Sequence, residues 1–275
     1  MERKSFTLKL VTYSGYWRAI HTHVFPHLGQ MQLKKVTSEV LHAYYARLQK
    51  AGMRESYIRS IHRILSSAFN DGVQRKVLVS HPCKHAAVPR VQASEIRVLT
   101  PEQAQRLLLA IKGHPLEMLI TLALATGMRR GELLGLRWDD SDMENAMLHV
   151  KRTLSYIQTP GGAYVYVETE PKTASGRRSV ALPACVIEVL KRHRTHQVEA
   201  RLRAKRWDDQ DLVFCTKYGS YYGPLRLSTE LRRILREVGL PSMRFHDLRH
   251  SAATMMLATG VHPKIVQEIL GAQRY

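Results

Sequence analysis

The chain has 275 residues, 44% of them hydrophobic and 24% charged, enough to bury a core as one large domain or two modest ones. Its 42 Lys and Arg outweigh 23 Asp and Glu to leave a net charge of +19, and the pI is ≈ 10.1. The excess recurs along the whole length and points to a long polyanion touching several surfaces; a soluble basic or ribosome-associated protein is the plainer alternative. Cys83, Cys185 and Cys215 are widely spaced with no metal-ligand pairing, so they read as reduced core thiols, and neither a disulfide scaffold nor a metal site is expected. No apolar core follows Met1-Glu2-Arg3-Lys4, so no signal peptide is expected. The longest apolar stretch, from about Leu116 to Ala125, is too short to span a bilayer and reads as a buried helix.

In chain order, the first ninety or so residues read as all-helical. Thr37-Ser38-Glu39 caps a helix whose apolar positions Val40, Leu41, Tyr44, Tyr45 and Leu48 recur at helical spacing, with Gly52 placed to end it. A second helix begins near Ser56, carries Ile58, Ile61, Ile64, Leu65 and Ala68, and is expected to stop at Gly72. Arg59 and Arg63 lie four apart on one face of it; they are candidate contacts to DNA backbone, or else part of a solvated basic face. Between about Ser80 and Arg97 the periodicity lapses into a linker. A new domain opens at Thr100-Pro101-Glu102-Gln103, with Thr100 as N-cap, Pro101 at the first helical position and Gln103 completing a capping box. From Met147 to Leu182 the period changes. Ala163 to Val167 and Ser179 to Leu182 read as the strands of a β-hairpin insert, joined through the small-residue turn Lys172-Thr173-Ala174-Ser175-Gly176. Helical patterns return over Pro183–Trp207, Pro224–Val238 and after His246. The fold class expected is mainly α: a small helical domain, a linker, and a larger α-rich domain with a small β insert.

Four segments of the second domain carry candidate chemistry. In Thr126-Gly127-Met128-Arg129-Arg130-Gly131-Glu132, one helix ends at Gly127 and another begins just after, which places Arg129 at a helix-terminal turn where backbone N–H groups also favour an anion. Its planar fork suits a phosphate; a capping arginine paired with Glu132 is the alternative. Lys172 on the turn is either solvated or a mobile proton donor. In Phe245-His246-Asp247-Leu248-Arg249-His250, His246 and Arg249 are three apart and project from one helix face, with Ala252, Ala253, Met255 and Met256 free to pack inward. After Gly260, Ile265, Val266, Ile269 and Leu270 form the apolar side of a last helix ending at Gly271.

Together, Thr126 to Trp138 (T-G-M-R-R-G-E-L-L-G-L-R-W), Pro171-Lys172-Thr173 and His246 to His250 closely resemble the tyrosine recombinase (phage integrase) family in order and spacing. The resemblance covers nearly the whole chain. It implies a helical core-binding, SAM-like domain over 1–92 (linker 80–98) and an α-rich catalytic domain over 99–275. It implies that a tyrosine attacks the scissile phosphate to form a 3′-phosphotyrosyl link, with no metal or nucleotide cofactor. Arg129 and Arg249 would clamp the non-bridging oxygens, His246 would share a proton, and Lys172 would protonate the 5′-hydroxyl leaving group. Arg130, Arg59 and Arg63 are further DNA-contact candidates. The partners implied are double-stranded DNA at att-like sites and other recombinase protomers in a synaptic tetramer, with no membrane. The location implied is cytoplasmic and nucleoid-associated, in a bacterium or phage.

The sequence departs from the family pattern after Ile269-Leu270-Gly271. Ala272 stands where the family has a histidine or tryptophan donor, and an alanine side chain donates nothing. The chain ends at Tyr275, too close to Gly271 to be oriented as a nucleophile by a helix of its own. The expectation is a chain cut short before the nucleophile, with Tyr275 an unsuitable substitute. Two readings stay open: an integrase-type recombinase, and a DNA-binding remnant that occupies such sites without cutting. A basic transcription regulator would leave Arg129, Lys172, His246 and Arg249 unexplained.

Overall fold

The computed structural model describes residues 8–91, 97–171 and 176–271. Backbone packing separates two units, one of residues 1–94 together with 157–165, the other of 95–156 and 166–275.

The first unit is helical. Helix α1 (Leu10–Ala19) runs into a π-helical segment, Ile20–Val24, and then α2 (Phe25–Leu28). Pro26 explains the wide turn: it has no N–H for the carbonyl four residues back, and its ring needs the room. Helix α3 (Ser38–Lys50) is capped by Thr37, whose side chain accepts from the Val40 N–H, and it buries Leu41, Tyr44, Tyr45 and Leu48. Helix α4 (Glu55–Gln74) buries Ile58, Ile61, Leu65 and Phe69 against that face. It passes through Gly72 and ends at Gln74. The expected stop at Gly72 is corrected because a glycine there weakens the helix without forbidding it, and the helical segment carries on as far as Gln74, two residues past Gly72. The two tyrosines pay for burial with bonds: Tyr44 Oη donates to the His23 carbonyl at 2.8 Å, and Tyr45 Oη meets His62 Nδ1 at 3.0 Å.

The second unit is organised around one buried helix. Helix α5 (Pro101–Ala110) starts at the expected capping box, with Thr100 and Gln103 exchanging bonds. Helix α6 (Glu117–Thr126) buries Met118, Leu119, Ile120, Leu122, Ala123, Leu124 and Thr126, so it is apolar all round, as the centre of a core must be. The one-turn α7 (Arg130–Leu134) follows. Strands β1 (Ser141–Asp142), β2 (Met147–Val150), β3 (Thr153–Gln158), β4 (Tyr164–Thr169) and β5 (Arg178–Ala181) come next. They form an antiparallel sheet β1-β2-β5, in register Leu148↔Val180, and a separate pair β3-β4. The two sequence-predicted strands exist but are not each other's partners. β5 pairs with β2 and β4 with β3, and both partners are short segments, of four and six residues.

Helices α8 (Ala184–Arg203), α9 (Pro224–Glu237), α10 (Asp247–Ala258) and α11 (Pro263–Leu270) complete the unit. Helix α6 packs on α8 and α10. Ser251 Oγ, fully buried on α10, accepts the Leu99 N–H at 3.0 Å and so ties the start of this unit to its centre. All three cysteines are free; Cys83 is buried, but Cys185 is exposed near the start of α8, which corrects its reading as a core thiol. No described helix is long and apolar enough to cross a membrane.

Candidate active site at an arginine cluster

Gly127 makes the site possible. It ends α6 in the left-handed conformation (φ 60°), where a side chain is strained. A Cβ there would also lie 2.4 Å from Leu270 Cδ2. The bare backbone lets the C-terminal end of α11 approach α6, while Gly127 reverses the chain and delivers Arg129.

Arg129 precedes α7 in extended conformation. Its Nη1 donates to Glu132 Oε1 at 2.8 Å, and its own N–H donates to Glu132 Oε2 at 2.9 Å. The Glu132 pairing, one of two readings of the sequence, is therefore present. It leaves Arg129 accessible, because the Arg129 side chain is 41% exposed while Glu132 is 2% exposed. Since α7 is a single turn and Glu132 occupies the Arg129 N–H, the positive groups on offer are side chains more than helix-end amides. Arg130, next in sequence, is exposed, and its Nη1 reaches Ser228 Oγ at 3.4 Å.

Arg249 enters from α10 and is 9% exposed. Its Nη1 donates to the Gly127 carbonyl and its Nη2 to the Leu270 carbonyl, each at 2.7 Å. Arg129 Nη2 donates to the next carbonyl, Gly271, at 3.1 Å. Two guanidiniums from distant segments thus converge on adjacent carbonyls at the end of α11, where unpaired C=O groups and the helix dipole favour cations. Burial, then the positive charges of Arg129 and Arg178, pull the Arg249 pKa down to about 10, with Glu132 acting the other way. It stays a cation at neutral pH.

His246 sits at the start of α10, exposed, with its ring edge-on to His250, centroids 5.3 Å apart. Desolvation, then His250, Arg249 and Arg129, hold its pKa below the ordinary imidazole value. The ring is therefore mainly neutral at pH 7, able to accept a proton or donate its N–H. Asp247 anchors this corner by accepting the Arg244 N–H at 2.8 Å and pairing with the Arg244 guanidinium. Behind it Ala252 is buried and Met255 packs on the core, whereas Ala253 and Met256 remain partly exposed.

One member of the cluster escaped the sequence reading. Arg178, the first residue of β5, has a side chain only 7% exposed and meets Glu132 through both Nη atoms, at 3.3 and 2.9 Å. Its Nε donates to the Ile269 carbonyl at 2.6 Å. The available signal was its place beside a strand pairing with the core, where a charge needs a buried partner. Lys172, Ala272 and Tyr275 lie outside the described residues. Arg59 and Arg63, in the first unit, are both exposed, and Arg59 Nη2 reaches the Pro89 carbonyl at 3.3 Å. The apolar side expected for α11 is narrower than predicted: Val266 is buried and Ile269 packs on the core, but Ile265 is 50% exposed. A cavity of about 380 Å³ bounded by His114, Met118, His193, Gln197 and Phe214 contains none of the cluster.

Paired guanidiniums beside an imidazole suit a tetrahedral anion with two free oxygens. Solved structures share the fold. The Tn1549 transposon integrase in complex with a circular intermediate DNA superposes with a TM-score of 0.81 at 23% identity, covering 99% of this chain and 89% of that one. A lambda integrase dimer bound to a COC′ core site gives 0.70 at 18%, covering 97% and 89%. The fold is thus that of the integrases. Residues 97–274 match the phage integrase family, and residues 1–49 match its N-terminal SAM-like domain. The chain is also 32% identical to a "Tyrosine recombinase XerC-like" protein of Caldanaerobacter subterraneus, over 98% of its own length and 72% of the relative's. An integrase of Saccharopolyspora erythraea is 26% identical over 96% and 72%. The chain belongs to the phage integrase, or tyrosine recombinase, family.

Proposed function

We propose that this chain acts in site-specific DNA recombination, gripping double-stranded DNA at att-like sites and holding the scissile phosphate between Arg129 and Arg249. The observation that carries this reading is the convergence of those two guanidiniums on the end of α11, from segments more than a hundred residues apart. The relatives are named tyrosine recombinase and integrase, and two solved neighbours, one of them a transposon integrase, hold DNA.

In this reading the arginines neutralise the non-bridging oxygens, where charge grows as the phosphoryl group transfers. His246, neutral at pH 7, shares a proton with the same oxygens, and Lys172 delivers one to the 5′-oxygen as its bond to phosphorus breaks and a tyrosine hydroxyl oxygen takes its place. Arg130, Arg59 and Arg63 add contacts to flanking phosphates. Other protomers of the family would complete a synaptic assembly around the DNA. The test is duplex binding across a salt series. Binding is expected to weaken steeply with salt, and Arg129→Ala to lower the slope of log K against log[salt] by about 0.9, the share of one phosphate. An unchanged slope in Arg129→Ala would remove Arg129 from the DNA interface. Cleavage is read separately, as a covalent adduct on a nicked duplex in a denaturing gel, with Tyr275→Phe testing whether that tyrosine supplies the bond.

A further inference from the structure

Arg178 belongs to none of the motifs that mark the family in this sequence, yet it shares one buried carboxylate with Arg129. Glu132 accepts the Arg129 N–H and Nη1 on one side and both Nη atoms of Arg178 on the other. Arg129, Arg178 and Arg249 against Glu132 leave two uncompensated positive charges, and without Arg178 only one would remain. A carboxylate in low dielectric binds whichever cation it has, and more tightly when it has one rather than two. We infer that Arg178 is a positioning residue: by satisfying Glu132 from behind, it keeps Glu132 from closing on the exposed Arg129 guanidinium with both oxygens, so that the remaining N–H groups of Arg129 can bind a DNA phosphate.

The geometry fits this division of labour. Arg178 has no access to a ligand, since its side chain is 7% exposed and its Nε is held by the Ile269 carbonyl. Arg129 is 41% exposed and is held by Glu132 through a single guanidinium nitrogen. With Arg178 gone, Glu132 would draw the Arg129 fork into a two-pronged pair and compete with phosphate for it.

The inference rests on the proposed DNA reading, and one titration series separates the two. Binding of a fluorescein-labelled random-sequence duplex is followed by anisotropy over a range of salt, and folding by circular dichroism. Arg178→Met is expected to lower the salt slope by about 0.9, as Arg129→Ala does, and the two changes together should lower it no further. Arg178→Lys keeps the charge and should keep the slope. Glu132→Gln combined with Arg178→Met removes both charges and should regain the wild-type slope. A purely structural arginine would alter melting and leave the slope alone, so a wild-type slope in Arg178→Met overturns the inference. If Arg178→Met fails to fold, the double variant decides: a wild-type slope supports the inference, and a slope as low as that of Arg129→Ala overturns it. A wild-type protein with no salt dependence would sink the DNA reading and this inference with it.

Discussion

Arg249 and His246 illustrate how one site treats two bases differently. Both are pushed toward their neutral forms by desolvation and by the surrounding arginines. Arg249 starts so high that a value of about 10 still leaves it charged at pH 7, while His246 starts near neutrality and is held neutral. For His246 the folded-state pKa lies below the unfolded value. Its contribution to stability is therefore fully present above roughly pH 6.5 and is lost as pH falls through the lowered folded value. His246→Gln should flatten that loss: the urea midpoint of the variant should drop less between pH 7.5 and pH 5.5 than the wild-type midpoint does. An equal drop would show that His246 does not titrate abnormally. Glu132 is held in its charged form instead. Burial alone would raise its pKa, but the bonds and charge of Arg178 and Arg129 outweigh burial and hold it below the usual carboxylate range. Its contribution is present above the unfolded carboxylate pKa and lost as pH falls through the folded one. Arg129, His246 and Arg249 were legible as candidates because each sits in a local motif. Arg178 was not, because its partner lies 46 residues away in sequence.

Helix α11 is short, and the three carbonyls at its end, of Ile269, Leu270 and Gly271, are each taken by an arginine from another element. A side chain at Gly127 would push on the Leu270 δ-methyl where α11 meets α6. Gly127→Ala is expected to cost about 1–3 kcal/mol from overpacking against Leu270, and roughly 1–2 more for an alanine held at positive φ, read as a fall in the urea midpoint. A midpoint equal to wild type would mean that α11 does not close on Gly127 in solution. Helix α5 offers a milder case. Thr100→Ala removes the cap and should cost about 1 kcal/mol without changing duplex binding, since Thr100 is outside the cluster. Amphipathic helices such as α3, α4 and α5, the first and last of them capped by a threonine, were readable because cap and periodicity are local. The strand pairings were not, because a four-residue strand reveals a face only when its partner is known.

Across the whole molecule the +19 charge is spread over both units, so DNA affinity should come from many phosphates and not from the cluster alone. Replacing Arg59 and Arg63 together by Gln should lower the salt slope by up to about 1.8. The change should add to that of Arg129→Ala, as independent sites do. Less-than-additive loss would mean that these residues and Arg129 serve one contact. The sequence alone determined the helical character of both units, the family, and three of the cluster's residues. These follow from composition, helical period and contiguous motifs, all of which are short-range. Only the tertiary structure decided that β4 and β5 belong to different sheets, that Glu132 is shared between Arg129 and Arg178, and that the end of α11 closes on the arginines. Arg178 reaches Glu132 across 46 positions and Arg129 reaches Gly271 across 142, and no local pattern encodes which buried carboxylate or carbonyl a distant guanidinium will find.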